Sequence, residues 1–303
     1  MKKAISLLLA LLMCAVLFGC VNQKAEESTP VQIAYDTATV SYLGPEGTYT
    51  QEACAQFFDG KGTYLPCETV PDAVQALTEG KSNYAVIPQE NTIGGAVIDY
   101  VDTLMASENV SVVGEVELFI SQNLLVLPGT TLDDIQTVYS HKQGIAQGKE
   151  WLAENLPDAE VTEAASTAEG AKTVAEGKDK SCAAIASAGC AEVYGLEILA
   201  AGIQNNDKNK TRFYVLSADT PATATADRLV FIADGSAKDL PALMAEMEKR
   251  GITLVTLHDR PEKTELGNYR YLMECSSCSY EDYLKLTENS EYTFRYLGSF
   301  SVK

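Results

Sequence analysis

Histidine is nearly missing from this sequence. His141 and His258 are the only two among 303 residues, which excludes a metal centre built from several imidazoles. Cations are scarce as well: 23 Lys and Arg face 42 Asp and Glu, a formal net charge of −19. That imbalance disfavours unspecific binding to nucleic acid or an anionic lipid surface, both of which need a basic face. No G-x-S-x-G occurs, and Ser140 beside His141 is not a hydrolase pair, because adjacent residues of a strand point to opposite faces. No internal repeat of roughly 20–50 residues is present, which excludes a solenoid or propeller. What is there is ordinary globular composition: 46% hydrophobic and 21% charged residues rule out a disordered or collagenous chain. At about 150 residues per domain, the length suits two domains with a sizeable core.

The N-terminus reads as an address. Lys2 and Lys3 precede an apolar run over residues 4–18, shorter than the roughly 20 residues that a membrane-spanning helix needs. It ends in Leu17-Phe18-Gly19-Cys20, which resembles a bacterial lipobox; in such signals the Cys is acylated and becomes the first mature residue. The expectation is a lipoprotein signal peptide over 1–20, lipidation at Cys20, and a polar tether over 21–38. The product would be extracytoplasmic and anchored to the membrane through the lipid alone. An ordinary signal peptide or a buried helix is the alternative. Cleavage would remove Lys2 and Lys3 and no acid, moving the charge to 21 − 42 = −21. Of eight cysteines, Cys14 and Cys20 belong to the address, leaving Cys54, Cys67, Cys182, Cys190, Cys275 and Cys278, whose pairing sequence does not give. Cys275-x-x-Cys278 has no second CxxC or His pair, so it is read as two thiols or a local disulfide, and no metal is expected.

From residue 39 onward short apolar runs alternate with helical periods. Strands are expected at 40–43, 84–88, 124–127, 137–140, 183–186 and 213–216. Helices are expected at 51–58, 72–79, 95–105, 145–155, 168–176 and 188–194. The alternation argues for an α/β domain with a mostly parallel sheet. Ser166-Thr167-Ala168-Glu169 has the form of a capping box, with Ser166 as N-cap. The small, Pro-containing stretch 218–226 reads as a linker. Beyond it, strands at 229–233, 253–257, 269–275 and 294–297 and helices at 240–250 and 280–287 give βαββαβ, a ferredoxin-like module.

Four stretches together resemble the prephenate dehydratase family. They are Tyr42-Leu43-Gly44-Pro45-Glu46-Gly47-Thr48-Tyr49-Thr50; Pro88-Gln89-Glu90-Asn91-Thr92-Ile93-Gly94-Gly95-Ala96-Val97; Ser140-His141-Lys142-Gln143 with Ser166-Thr167 and Ala183-Ala184-Ile185-Ala186-Ser187 after it; and Tyr194-Gly195-Leu196 with the T-R-F set Thr211-Arg212-Phe213. Each is weak alone, but their order and spacing make the match specific. The C-terminal module resembles the ACT domain that follows this catalytic domain in many members, through Arg260-Pro261 and Leu297-Gly298-Ser299-Phe300. The implied fold is α/β: a two-lobed catalytic domain like the type 2 periplasmic binding proteins over 39–217, the linker over 218–226, and a ferredoxin-like ACT domain over 227–303.

The resemblance implies decarboxylating dehydration of prephenate to phenylpyruvate, a carbon–oxygen lyase reaction of phenylalanine biosynthesis. Aromatisation drives it, so no cofactor is required. Thr211 takes the family's contact to the leaving hydroxyl, donating a hydrogen bond that strengthens as charge grows on oxygen. Arg212 is assigned to a substrate carboxylate or to positioning the loop, with a surface salt bridge as its bland alternative. Thr48, Asn91, Thr92, Gln143, Ser166 and Thr167 are the remaining substrate contacts, several at helix N-termini that collect anions; Thr50, Thr92 and Ser166 also fit plain N-caps. Glu90 and His141 are read as structural, and Phe213 as packing. Leu240, Arg260 and Pro261 mark the family's L-phenylalanine site. There Ala237-Lys238-Asp239 and His258-Asp259 depart from the family pattern and argue against that effector, whereas pairing into a homodimer or homotetramer tolerates these changes. Gln122 stands where the family often has His, so no titrating group is available there. Arogenate dehydratase and a non-catalytic ligand-binding lipoprotein are the alternatives.

Overall fold

The computed structural model describes residues 33–219, 226–288 and 290–302. The expected signal peptide with Cys20, most of the tether and most of the linker lie outside them.

Three sheets organise the chain. The first gathers β1 (Thr39–Leu43), β2 (Thr63–Cys67), β3 (Tyr84–Asn91), β4 (Gly95–Ala96), β5 (Ser111–Phe119) and β11 (Lys210–Ser217), in the order β2-β1-β3-β11-β5 with β4 folded back on β3. The second gathers β6 (Asn123–Val126), β7 (Thr137–Ser140), β8 (Glu160–Glu163), β9 (Cys182–Ala186) and β10 (Glu197–Ala200), in the order β10-β6-β9-β7-β8. Each sheet is the core of one lobe. The chain leaves the first lobe after β5 and returns to it as β11. The two crossing segments are tied together: Ile120 N–H donates to the Asn209 carbonyl at 2.9 Å, and Ile203 N–H to the Gln122 carbonyl at 2.8 Å.

Both sheets are mixed, which corrects the expectation of a mostly parallel sheet. β1 pairs parallel with β2 and β3, and β7 with β8 and β9. The returning strand β11 runs antiparallel to both β3 and β5, and β6 antiparallel to β9 and β10. A strand that re-enters a sheet from another lobe need not obey the crossover rule that makes consecutive βαβ strands parallel.

The helices are α1 (Tyr49–Phe57), α2 (Val70–Thr78), α3 (Ile98–Ala106), α4 (Lys142–Asn155), α5 (Thr167–Gly177) and α6 (Ala188–Tyr194). Most begin where a short polar side chain accepts a first-turn N–H: Thr48 for α1, Thr69 for α2, Ser166 for α5 and Ser187 for α6. α3 starts later than its apolar pattern suggests, because Gly95 and Ala96 are paired with Asn91 and Glu90 as β4.

The third sheet, β13 (Thr253–Pro261), β14 (Asn268–Ser276), β12 (Arg228–Ser236) and β15 (Thr293–Phe300) in spatial order, is antiparallel and ferredoxin-like. One face packs on α7 (Leu240–Lys249) and α8 (Tyr280–Thr287). The other face carries Val230, Ile232, Leu272, Leu297 and Phe300 into the same buried cluster as Ile87, Leu104, Tyr214 and Leu216 of the first lobe. Each of those side chains contributes roughly 1.5–3 kcal/mol on burial, so the module is fused to the lobe rather than hung from a linker.

Candidate active site

A cavity of about 620 Å³ lies between the lobes. Its walls are built from β-strand ends of the first lobe and helix starts of both lobes. Thr48, Tyr49 and Thr50 come from the start of α1; His141, Lys142, Gln143 and Gly144 from the start of α4; Ser166 and Thr167 from the start of α5; Asn91, Thr211 and Phe213 from β3 and β11. With Val97 and Asp99 from the start of α3, four helix N-termini therefore converge on one space. An α-helix leaves its first N–H groups without intrahelical partners, and its dipole adds partial positive charge there. Lys142 is the cation in the wall and Asp99 the acid. The arrangement suits a dianion held largely by backbone.

The floor of the cleft is a hydrogen-bonded pair. Asn91 Nδ2 donates to Thr211 Oγ1 at 2.9 Å and to Asn209 Oδ1 at 2.8 Å. Asn91 Oδ1 accepts from the N–H groups of Ile93 and Gly94 at 3.0 and 2.8 Å, so all the polar atoms of that amide are fixed. Thr211 is buried. Because its oxygen accepts from Asn91, its own hydroxyl proton is left to be donated into the cleft, and the accepted bond polarises it further.

Lobe-to-lobe contacts close one end of the site. Ser187 Oγ donates to the Gly47 carbonyl at 2.6 Å, and the Tyr194 hydroxyl to the Glu46 carbonyl at 2.9 Å. Gly47 has φ of +83°, and a Cβ there would lie 2.9 Å from Cys190 Sγ. The Gly in Pro45-Glu46-Gly47-Thr48 is thus required twice, by conformation and by space.

Most residues expected at the site meet here: Thr48, Asn91, Gln143, Ser166, Thr167 and Thr211 all line the cavity. Two do not. The Thr92 side chain is spent on β11, where Oγ1 donates to the Lys210 carbonyl at 3.0 Å and accepts its N–H at 3.1 Å. Asn91 and Thr92 end β3 in a turn to β4 rather than a strand-to-helix junction. Arg212 is the larger correction. Strand alternation sends it to the face opposite Thr211 and Phe213, where its guanidinium bonds Glu115 and, at 2.6 Å, Glu274, with Glu90 at 3.7 Å. Burial alone would lower its pKa; the Glu115 hydrogen bond and the Glu274 and Glu115 charges instead raise it above the ordinary value. It holds no carboxylate in the cleft.

Other expectations resolve locally. Ser166 accepts from Glu169 N–H at 3.0 Å as an N-cap. His141 caps α4, its Nδ1 accepting from Gln143 N–H at 3.4 Å, and burial, with Lys142 beside it, lowers its pKa. Arg260 Nε pairs with Asp102 of α3 at 2.5 Å, Leu240 opens α7, and Pro261 ends β13. The cysteines 54, 67, 182, 190, 275 and 278 are free thiols. Sequence reasoning missed Asn209, Lys142 and Tyr49, whose hydroxyl donates to the Ser121 carbonyl at 2.7 Å. Lys142 and Tyr49 stand inside quoted motifs, whereas nothing in the sequence around Asn209 marks it.

The family model for prephenate dehydratase matches residues 40–221, the span that builds both lobes and the whole cleft. The prephenate dehydratase of Mycolicibacterium gilvum is 36% identical over 251 residues, covering 78% of this chain and 80% of that one. Among solved structures, the prephenate dehydratase of Arthrobacter aurescens in complex with L-Phe superposes with a TM-score of 0.78 at 27% identity, over 87% of this chain and 90% of that one. A structure described as GqqA, a novel type of quorum quenching acylase, superposes with a TM-score of 0.79 at 26% identity, over 88% and 98%. A matched domain that supplies each wall of the cleft, and relatives that extend the match through the third sheet, place this chain in the prephenate dehydratase family.

Proposed function

We propose that the protein converts prephenate to phenylpyruvate. The substrate loses CO2 from one ring carbon and hydroxide from the carbon opposite; with one proton taken up, the products are phenylpyruvate, CO2 and water. The observation that carries this reading is the Thr211–Asn91 pair in one cleft with helix N-termini from both lobes, those of α4 and α5 coming from the opposite lobe. The N-termini of α1, α4 and α5, with Lys142, hold the two carboxylates at a fixed spacing. Thr211 donates a hydrogen bond through its O–H to the departing oxygen while the proton that completes water comes from solvent, and Asn91 keeps that hydroxyl in place. Incubating the protein with prephenate and following phenylpyruvate is the test, and absence of turnover overturns the reading.

The acylase-described neighbour uses the same scaffold, and scaffold alone does not fix chemistry. Acyl-amide hydrolysis needs an activated nucleophile. Here Ser166 Oγ and His141 Nδ1 are each occupied in capping a helix, so dehydration is the better supported reaction.

The polar start, short apolar run and Cys20 support an exported, lipid-anchored protein. Labelled palmitate should be incorporated in a bacterial host and lost in Cys20→Ala. The ferredoxin-like sheet supports an ACT-type module that pairs two or four chains, which light scattering would read. Ala237-Lys238-Asp239 and His258-Asp259 argue against L-phenylalanine binding here although the Arthrobacter relative is seen in complex with it, and the absence of a thermal shift with phenylalanine is the expected result.

A further inference from the structure

Arg212 turns its back on the cleft, and the group it meets there belongs to the third sheet. Glu274 of β14 is buried to 1% exposure and gathers hydrogen-bond donors from β3 and β11 and an ion pair from β12. From β11 come Arg212 Nη2 at 2.6 Å and the Tyr214 hydroxyl. From β3 comes Gln89 Nε2 at 3.0 Å, and from β12 the Arg228 guanidinium, whose Nε lies 3.0 Å away. β3 and β11 are the two strands that carry Asn91 and Thr211.

Gln89 is also the irregular point of that pairing. Thr211 pairs with Asn91 and Arg212 with Glu90, but Phe213 pairs with Pro88, so Gln89 is the extra residue of a bulge. Bulges beside active sites re-aim side chains, and they slip unless pinned. This one is pinned by Glu274 at its side chain and by Val97 N–H at its carbonyl, 2.8 Å. Val97 lines the cleft and is the N-cap of α3. The far end of α3 is held by the third sheet too: Arg295 and Arg270 donate to the carbonyls of Leu104, Met105 and Ser107, and Arg260 pairs with Asp102.

We propose that Glu274 is a positioning residue for the Thr211–Asn91 pair: the third sheet holds the register of β3 against β11 from behind, and with it the aim of the Thr211 hydroxyl. This rests on the dehydratase reading. It makes the C-terminal module part of the catalytic machinery whether or not an effector binds it.

The experiment compares the full chain with Glu274→Gln, which keeps the shape and removes the charge shared by Arg212 and Arg228. With prephenate as substrate, kcat should fall about tenfold while KM stays within about twofold, because Glu274 lies outside the binding walls. In a Thr211→Ala background the same change should alter kcat by less than about twofold, since the group it positions is gone. A Glu274→Gln protein that melts like the parent and keeps its kcat overturns the proposal. So does a further tenfold loss in the Thr211→Ala background, which would mark a general structural role. If Glu274→Gln does not fold, Tyr214→Phe removes one bond to the same carboxylate and should lower kcat about threefold; an unchanged kcat there overturns the proposal equally. A parent protein that does not turn over prephenate overturns the dehydratase reading itself.

Discussion

Thr211 accepts one hydrogen bond from Asn91 through its oxygen and lines the cleft, so its hydroxyl proton is available to a ligand there. Removing a donor of this kind from a developing oxyanion typically costs about 10²–10³ in kcat. Thr211→Ala should therefore lose about that much, with little change in melting temperature, because Asn91 Nδ2 retains Asn209 Oδ1 and the Lys210 carbonyl. Thr211→Ser should keep most of the rate; steady-state assays on prephenate check both. A second residue-scale prediction concerns His141, whose pKa is lowered by burial and then by Lys142. Neutral imidazole is the form that caps α4, so its stabilising contribution is complete above the unfolded value near 6.5 and is lost as pH falls through that window. Asn caps a helix without titrating. His141→Asn should lose less of its urea midpoint than the parent between pH 7.5 and 5.5. Buried carboxyls with raised pKa, such as Glu115, act with the opposite sign but cancel in that comparison. An equal loss in both proteins would show that His141 is not the titrating cap.

The elements explain why one site residue was misplaced from sequence. The apolar run 213–216 was legible as a strand, and so was 84–88, but the ladder continues at both ends under polar residues. β11 starts at Lys210 and β3 runs on to Asn91. Once Thr211 and Arg212 lie inside a strand, alternation forces them to opposite faces; read as a loop before a strand, both could reach the cleft. β5 was missed because Gly114 and Glu115 interrupt its pattern. Gly114 is there for the Phe57 ring, which a Cβ would meet at 2.4 Å, and Glu115 is buried against Arg212. Ser166 was legible at its helix start because its own side chain carries capping chemistry, whereas α1 is capped by Thr48, and Thr50, which also fits a cap in sequence, lies inside the helix. The same close fit gives an element-scale prediction at Gly144. A Cβ there would sit 2.4 Å from Ser140 Oγ and 3.1 Å from Thr167 Cγ2. Ser140 cannot swing aside without breaking its 2.6 Å bond to the Ile185 carbonyl. Gly144→Ala should push the start of α4 away from α5, lowering the melting temperature by several degrees. It should raise KM for prephenate more than it changes kcat, because those two N-termini bind rather than react. A kcat loss with an unchanged KM would place the N-termini outside substrate binding.

At the scale of the whole molecule, a chain of formal charge −19 must admit a substrate carrying two negative charges. The site answers locally, with helix N-termini and Lys142 lining the cleft, while the rest of the surface repels. The two effects differ in range. Contacts within hydrogen-bonding distance in a partly enclosed cleft are screened weakly, whereas repulsion across tens of ångströms is screened strongly once the Debye length falls from about 30 Å at 0.01 M to about 8 Å at 0.15 M salt. Raising salt over that range should therefore speed approach more than it weakens holding. If association limits the reaction at low substrate, kcat/KM for prephenate rises severalfold while kcat stays level. A fall in kcat/KM would mean that Lys142 and the local field already steer the dianion in. In that case Lys142→Gln should abolish the salt dependence, whereas under the repulsive account it leaves the rise intact and lowers kcat/KM at every salt concentration.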